Sequence, residues 1–129
     1  MTLKVFLSIV AFLGVAHGVT FLITPDQVAA LYGMPTSAAV ALMSRFFGGA
    51  LLAWCGILWA ARNFRDEAAI RAVLISTAIA EAIGGLTGIA GTLSGTLNGL
   101  GWVAVLIYLF GTVGCAYFAL GHKELAGAS

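Results

Sequence analysis

Two full charges inside long apolar segments constrain this chain more than any other feature. Arg45 lies within an apolar run that extends from 38 to 61, and Glu81 lies within a second run from 68 to 92. An ionisable side chain in hydrocarbon costs roughly 2.5–3.5 kcal/mol or more, so it persists where it is paired, hydrated or functional. The sequence therefore predicts a membrane-embedded helical bundle with polar groups in its interior.

The composition supports this class. The 129 residues are 61% hydrophobic and 9% charged, whereas about a quarter of the residues of soluble domains are charged. A helix of about 20 apolar residues crosses the hydrocarbon core of a bilayer. We predict one all-α transmembrane domain over residues 1–129, a four-helix bundle whose spans lie at about 3–23, 38–61, 68–92 and 98–121.

The first span has features of a secretion signal. Lys4 precedes an apolar run, and the small-residue sequence Ala16-His17-Gly18 follows it. The apolar character continues through Val19 to Ile23, which gives this segment membrane-spanning length. We therefore expect the segment to be retained as the first span.

A short interfacial helix is predicted between the first and second spans. The sequence Thr24-Pro25-Asp26-Gln27 has the pattern of a helix start, with threonine as N-cap, proline at the first helical position and glutamine as the capping-box partner. Gly33 and Pro35 end this helix, and Thr36 or Ser37 then caps the second span.

The basic residues are distributed unevenly along the chain. The connections 24–37 and 93–101 carry none, whereas the N-terminus, the connection 62–67 and the C-terminus carry Lys4, Arg62, Arg65, Arg71 and Lys123 on or near them. This is the positive-inside pattern of a multi-pass protein with both termini inside, and we expect it to lie in a bacterial inner membrane. The net charge of +1 gives no basic surface for nucleic acid.

Many glycines are spaced four residues apart, as in Gly14/Gly18 and Gly84/Gly88. Such spacing lets helix backbones approach closely where no hydrophobic force draws them together. Two interpretations follow from it, namely tight packing within the bundle and a homo-oligomer that forms through an exposed glycine face.

One polar residue from each predicted span falls within about 8 Å of depth when the rise is about 1.5 Å per residue. These residues are His17, Arg45, Glu81 and Tyr108. Each shares a helical side with glycines or other small residues, so we expect all four to face the bundle interior. They predict a cavity in the outer half of the bundle, with Arg45 and Glu81 as an ion pair that is either structural or part of a ligand or proton site.

No motif indicates a metal or cofactor. The two cysteines, Cys55 and Cys115, lack the spacing of a redox pair, and no hydrolase or phosphate-binding motif is present. Haem in a bundle generally requires two axial ligands, and the second histidine, His122, belongs to the opposite end from His17. We predict neither a metal site nor a cofactor.

Four short motifs carry a resemblance to a known group. They are Phe21-Leu22-Ile23-Thr24-Pro25, Leu31-Tyr32-Gly33, Arg45-Phe46-Phe47-Gly48-Gly49 and Leu97-Asn98-Gly99-Leu100-Gly101-Trp102. With them the chain resembles the small bacterial four-helix membrane proteins of the DoxX-like families. The resemblance implies a four-helix bundle without established chemistry. Small multidrug transporters have a similar length, but their essential carboxylate lies in the first helix, whereas Glu81 lies in the third span.

The sequence favours a non-enzymatic bundle that binds a small amphipathic or apolar molecule, or that serves as an accessory subunit of a larger membrane complex. Membrane lipids and other spans are the expected partners. A proton-coupled transporter that uses Glu81 is one alternative, and it requires a route to both sides of the membrane. Another is a membrane-embedded enzyme acting on a lipid or quinone, with His17, Glu81 and Tyr108 available for acid–base chemistry.

Overall fold

A computed structural model describes residues 1–121 as five helices joined by short connections. The helices are α1 (Leu3–Ile23), α2 (Pro25–Leu31), α3 (Ala38–Ala61), α4 (Glu67–Leu93) and α5 (Gly101–Leu120). All but α2 are long and apolar enough to cross a membrane. The predicted all-α bundle and its short second helix are thus confirmed, and the chain is a multi-pass membrane protein. His122 and Lys123, which entered the predictions on haem and topology, lie outside the described residues.

The helix starts follow from side chains that accept hydrogen bonds from exposed backbone N–H groups. Ser37 accepts from Val40 N at 3.2 Å, and Asp66 accepts from Ala68 N at 2.9 Å. The capping box predicted at Thr24 was wrong, because this hydroxyl donates back to Thr20 O at 3.0 Å and caps nothing in α2.

The fifth helix begins three residues later than predicted, at Gly101. The reason is that Asn98 bridges two parts of the chain instead of opening a helix. Its side-chain amide donates to Leu31 O at 2.8 Å, and its backbone N–H donates to Tyr32 O at 2.9 Å. These bonds tie the connection between α4 and α5 to the end of α2. We call this contact the outer clamp.

The spans pack as two close pairs, α1 with α3 and α4 with α5, while contact between the pairs is sparse. The backbones of α1 and α3 meet at glycines: a β-carbon added at Gly48 would lie 2.6 Å from Gly18 O. In the second pair, Gly88 lies against Val105. These glycines therefore serve packing within the bundle, as one of the two interpretations predicted.

A dense apolar core fills the inner end of the bundle, the end that carries Lys4 and Arg62. Its centre is Phe6, whose side chain is fully buried and whose ring centroid lies 5.2 Å from that of Phe118. The remaining members are Leu3, Leu7, Val10, Ala11, Leu58, Ala61, Ile70, Leu74, Cys115 and Ala119. This inner core joins the two helix pairs at one end of the bundle.

The structure makes the predicted topology testable, because Ser94 and Asn63 are both exposed in connections at opposite ends of the bundle. Single cysteines at these positions, in a background with Cys55 and Cys115 replaced by alanine, should react differently with an impermeant thiol reagent added to intact cells. We expect labelling at position 94 only. Labelling at position 63 and not at position 94 would show that the protein has the opposite orientation.

Candidate functional site

A cavity of about 680 Å³ lies between the two helix pairs and is lined by all four spans. It meets Tyr32 and Leu97 near the outer clamp and reaches past the middle of the bundle to Leu58. Its other lining residues are Val10, Leu13, Gly14, His17, Phe21, Met34, Phe47, Ala50, Leu51, Trp54, Cys55, Ser76, Ala80, Glu81, Ile83, Gly84, Thr87, Gly88, Ala104, Ile107, Tyr108, Phe110 and Gly111. We call it the central cavity. It is deeper than the outer-half cavity predicted from the sequence.

The central cavity is covered at its two ends and exposed along one side. The inner core fills the bundle below it, and the outer clamp covers it above. Between α3 and α4, however, the lining residues Ile83 and Phe47 are 61% and 44% exposed. The exposed side of the cavity is therefore lateral, between these two spans.

Glu81 and Tyr108 project from α4 and α5 into glycine gaps on each other's helix. A β-carbon added at Gly111 would lie 2.8 Å from Glu81 Cδ, and one added at Gly84 would collide with the Tyr108 ring. The glycines thus make room for both side chains beside each other in the cavity wall. Within residues 1–121, the Glu81 carboxylate has no hydrogen-bond or ion-pair partner.

His17 brings a third polar group to the cavity from α1. Its Nδ1 lies 2.8 Å from Leu13 O. Because a carbonyl oxygen only accepts, Nδ1 carries the hydrogen in this bond, and in the neutral ring Nε2 is an acceptor. His17, Glu81 and Tyr108 thus all line the central cavity.

The structure does not place Arg45 in this cluster. Its side chain is exposed and does not line the cavity. Trp54 does line it, and nine residues separate the two, which is two and a half turns and puts them on opposite sides of α3. The predicted Arg45–Glu81 ion pair is thus not formed, and the cavity has no cationic top. Arg45 instead lies about 10 Å from the outer end of α3, a distance that allows a long arginine side chain to extend toward the membrane surface.

The sequence prediction missed the contribution of α3. Trp54 lines the cavity, and its Nε1 is buried without an acceptor among the described residues. The signal was present, because Phe47, Leu51, Trp54 and Leu58 recur at helical spacing and form one apolar side. Both cysteines are buried and free. Residues 1–121 hold no group of three or more His, Cys, Asp or Glu side chains that suits a metal ion.

Comparisons with protein families, with characterised proteins and with solved structures find no match to this chain. The resemblance to the DoxX-like families therefore stays a prediction. Two of its motifs, Leu31-Tyr32-Gly33 and Leu97-Asn98-Gly99-Leu100-Gly101-Trp102, meet at the outer clamp. There Gly33 has φ +76°, and a β-carbon added to it would lie 3.3 Å from Asn98, so a larger residue would strain the backbone and press on the clamp.

Proposed function

We propose that this protein binds a small, predominantly apolar molecule that enters the central cavity sideways from the membrane. The observation that carries this proposal is the cavity itself, which has about 680 Å³ of space between four spans. Ligand sites in proteins typically measure about 300–1,000 Å³ and combine apolar walls with a few polar groups. Here His17, Glu81 and Tyr108 supply polar groups that can orient a ligand.

The inner core favours binding over transport. A transporter that uses Glu81 requires a route to both sides of the membrane, and the path to the inner end runs through Phe6, Leu7 and Phe118, whose exposure is 3% or less. An accessory-subunit role, in contrast, requires no ligand in the cavity at all. A test of whether the cavity binds a ligand therefore distinguishes the binding role from the accessory-subunit role.

We also infer that the membrane is a bacterial inner membrane with both termini inside. The support is the absence of basic residues from the connections 24–37 and 94–100 and their presence at Lys4, Arg62 and Arg65. Impermeant labelling at Ser94 and Asn63, described above, tests this orientation.

Filling the cavity should abolish ligand-induced stabilisation. Ala50 lines the cavity on α3, whereas Ala53, one turn along the same helix, is exposed and does not line it. We therefore expect Ala50→Phe to remove binding and Ala53→Phe to retain it. A bound ligand at a hundred times its Kd stabilises by about 2.7 kcal/mol, which raises the melting temperature by several degrees.

The measurement is thermal unfolding in a non-ionic detergent with three probes of different charge: 1-naphthol, tetraphenylphosphonium and tetraphenylborate. At least one probe should stabilise the wild type and Ala53→Phe while leaving Ala50→Phe unchanged. If no probe stabilises the wild type more than Ala50→Phe, the binding proposal is wrong and the accessory-subunit role stands.

A further inference from the structure

We propose that the ligand of the central cavity is an organic cation with an apolar body, and that Glu81 holds its charged group. This inference rests on the proposed function and names the ligand class of the same site. It is carried by the charge of the cavity wall, the direction of its hydrogen bonds and its aromatic content.

Glu81 is the only carboxylic acid among the described residues that line the cavity, and neither lysine nor arginine accompanies it there. Arg45, the cation that the sequence offered as its partner, lies on the far side of α3. A carboxylate in a membrane interior requires a compensating charge or hydrogen bonds. A ligand cation supplies the partner that the protein does not.

Two of the other polar groups in the lining, on His17 and Thr87, offer acceptors. His17 uses Nδ1–H on Leu13 O, which leaves the lone pair of Nε2 for the cavity. Thr87 lines the cavity as well, and its hydroxyl already donates to Ile83 O at 2.8 Å, so only acceptor capacity remains. Such a wall suits a ligand that donates hydrogen bonds or carries positive charge.

Aromatic rings surround this acceptor group. The lining includes Phe21, Tyr32, Phe47, Trp54, Tyr108 and Phe110. The face of an aromatic ring carries negative electrostatic potential and attracts ammonium and phosphonium groups in a desolvated site. The same potential repels an anion, so the ring faces and Glu81 both favour a cationic ligand over an anionic one.

Probe molecules of matched shape and opposite charge test this directly. Tetraphenylphosphonium and tetraphenylborate differ in the sign of one central charge, and 1-naphthol gives a neutral reference. We expect wild-type protein in non-ionic detergent to bind the phosphonium at least about tenfold more tightly than the borate, because a carboxylate attracts a cation and repels an anion. Equilibrium dialysis gives the three dissociation constants.

The variant Glu81→Gln keeps the shape of the side chain and removes its charge. It should weaken phosphonium binding by about tenfold or more and leave 1-naphthol binding within about twofold. Asp26→Asn is the matched control, because Asp26 is an exposed carboxylate on α2 outside the cavity. This control should change none of the three constants.

The outcomes separate the two proposals. If the phosphonium, the borate and 1-naphthol bind equally and Glu81→Gln changes none of them, the cavity binds apolar molecules and the cation assignment is wrong. Preference for the borate overturns the assignment in the same way. If none of the three binds, the proposed function itself fails. The wild-type charge preference decides the matter even if Glu81→Gln does not fold.

Discussion

Gly48→Ala is expected to destabilise the fold by about 2–3 kcal/mol, although one methyl group is all that it adds. The new β-carbon would lie 2.6 Å from Gly18 O and 3.0 Å from Leu22 N. Both are backbone atoms of α1, which cannot rotate away as a side chain can. The pair α1 and α3 must therefore separate, which loses the van der Waals contact that holds membrane helices together.

The adjacent Gly49 is the matched control. A β-carbon added there meets nothing within 4 Å. Alanine is also a better helix former than glycine by about 0.5–1 kcal/mol, so Gly49→Ala should be neutral or slightly stabilising. Unfolding titrations with sodium dodecyl sulfate in mixed micelles compare the two variants. Equal stabilities would show that α1 and α3 do not cross at Gly48.

The second large effect is expected at the centre of the inner core. Phe6 is fully buried, its ring packs against Phe118, and Gly114 makes room for it on α5. Phe6→Ala leaves a cavity where α1 meets α5, and we expect a loss of about 2–4 kcal/mol. The transfer contribution is smaller than in a soluble protein, because lipid is as apolar as the core.

Phe12→Ala provides the comparison on the same helix. Phe12 is 71% exposed and faces the membrane, so its removal leaves no internal void. We expect its effect to stay below about 0.5 kcal/mol in the same titration. Similar losses for Phe6→Ala and Phe12→Ala would contradict the position of the inner core.

The spans were predictable from the sequence because length and apolar composition determine them. α1 and α3 have the predicted limits, and α4 is one residue longer at each end. The errors occurred where one polar side chain had a choice of partners. Thr24 bonds back to α1 instead of capping α2, and Asn98 bonds to α2 instead of opening α5. Local pattern does not encode these contacts, which depend on how the helices meet.

The candidate site was predicted in part, for a similar reason. Glu81 and Tyr108 line the cavity, and each side chain packs against a glycine of the other's helix, while His17 lines the cavity from α1. Arg45 was expected inside because a charge within a span usually avoids lipid. Its nearness to the outer end offers another solution, since an arginine side chain is long enough to extend toward the surface. The packing of Gly48 against α1 fixes how α3 is rotated about its axis, and this rotation places Arg45 outside the cavity.

The central claim, that the cavity binds a ligand, is tested most directly by a fluorescent reporter in its wall. With Trp59 and Trp102 replaced by phenylalanine, Trp54 is the only tryptophan, and it lines the cavity. A brominated probe such as 4-bromo-1-naphthol quenches tryptophan emission on contact. A matched protein that retains only Trp102, which is exposed at the outer end of α5, reports probe dissolved in the micelle.

We predict that Trp54 emission falls along a saturable curve, that Ala50→Phe abolishes the saturation, and that Trp102 shows only a linear decrease. Linear quenching of both tryptophans with the same slope, unchanged by Ala50→Phe, would contradict the presence of a ligand site between the two helix pairs.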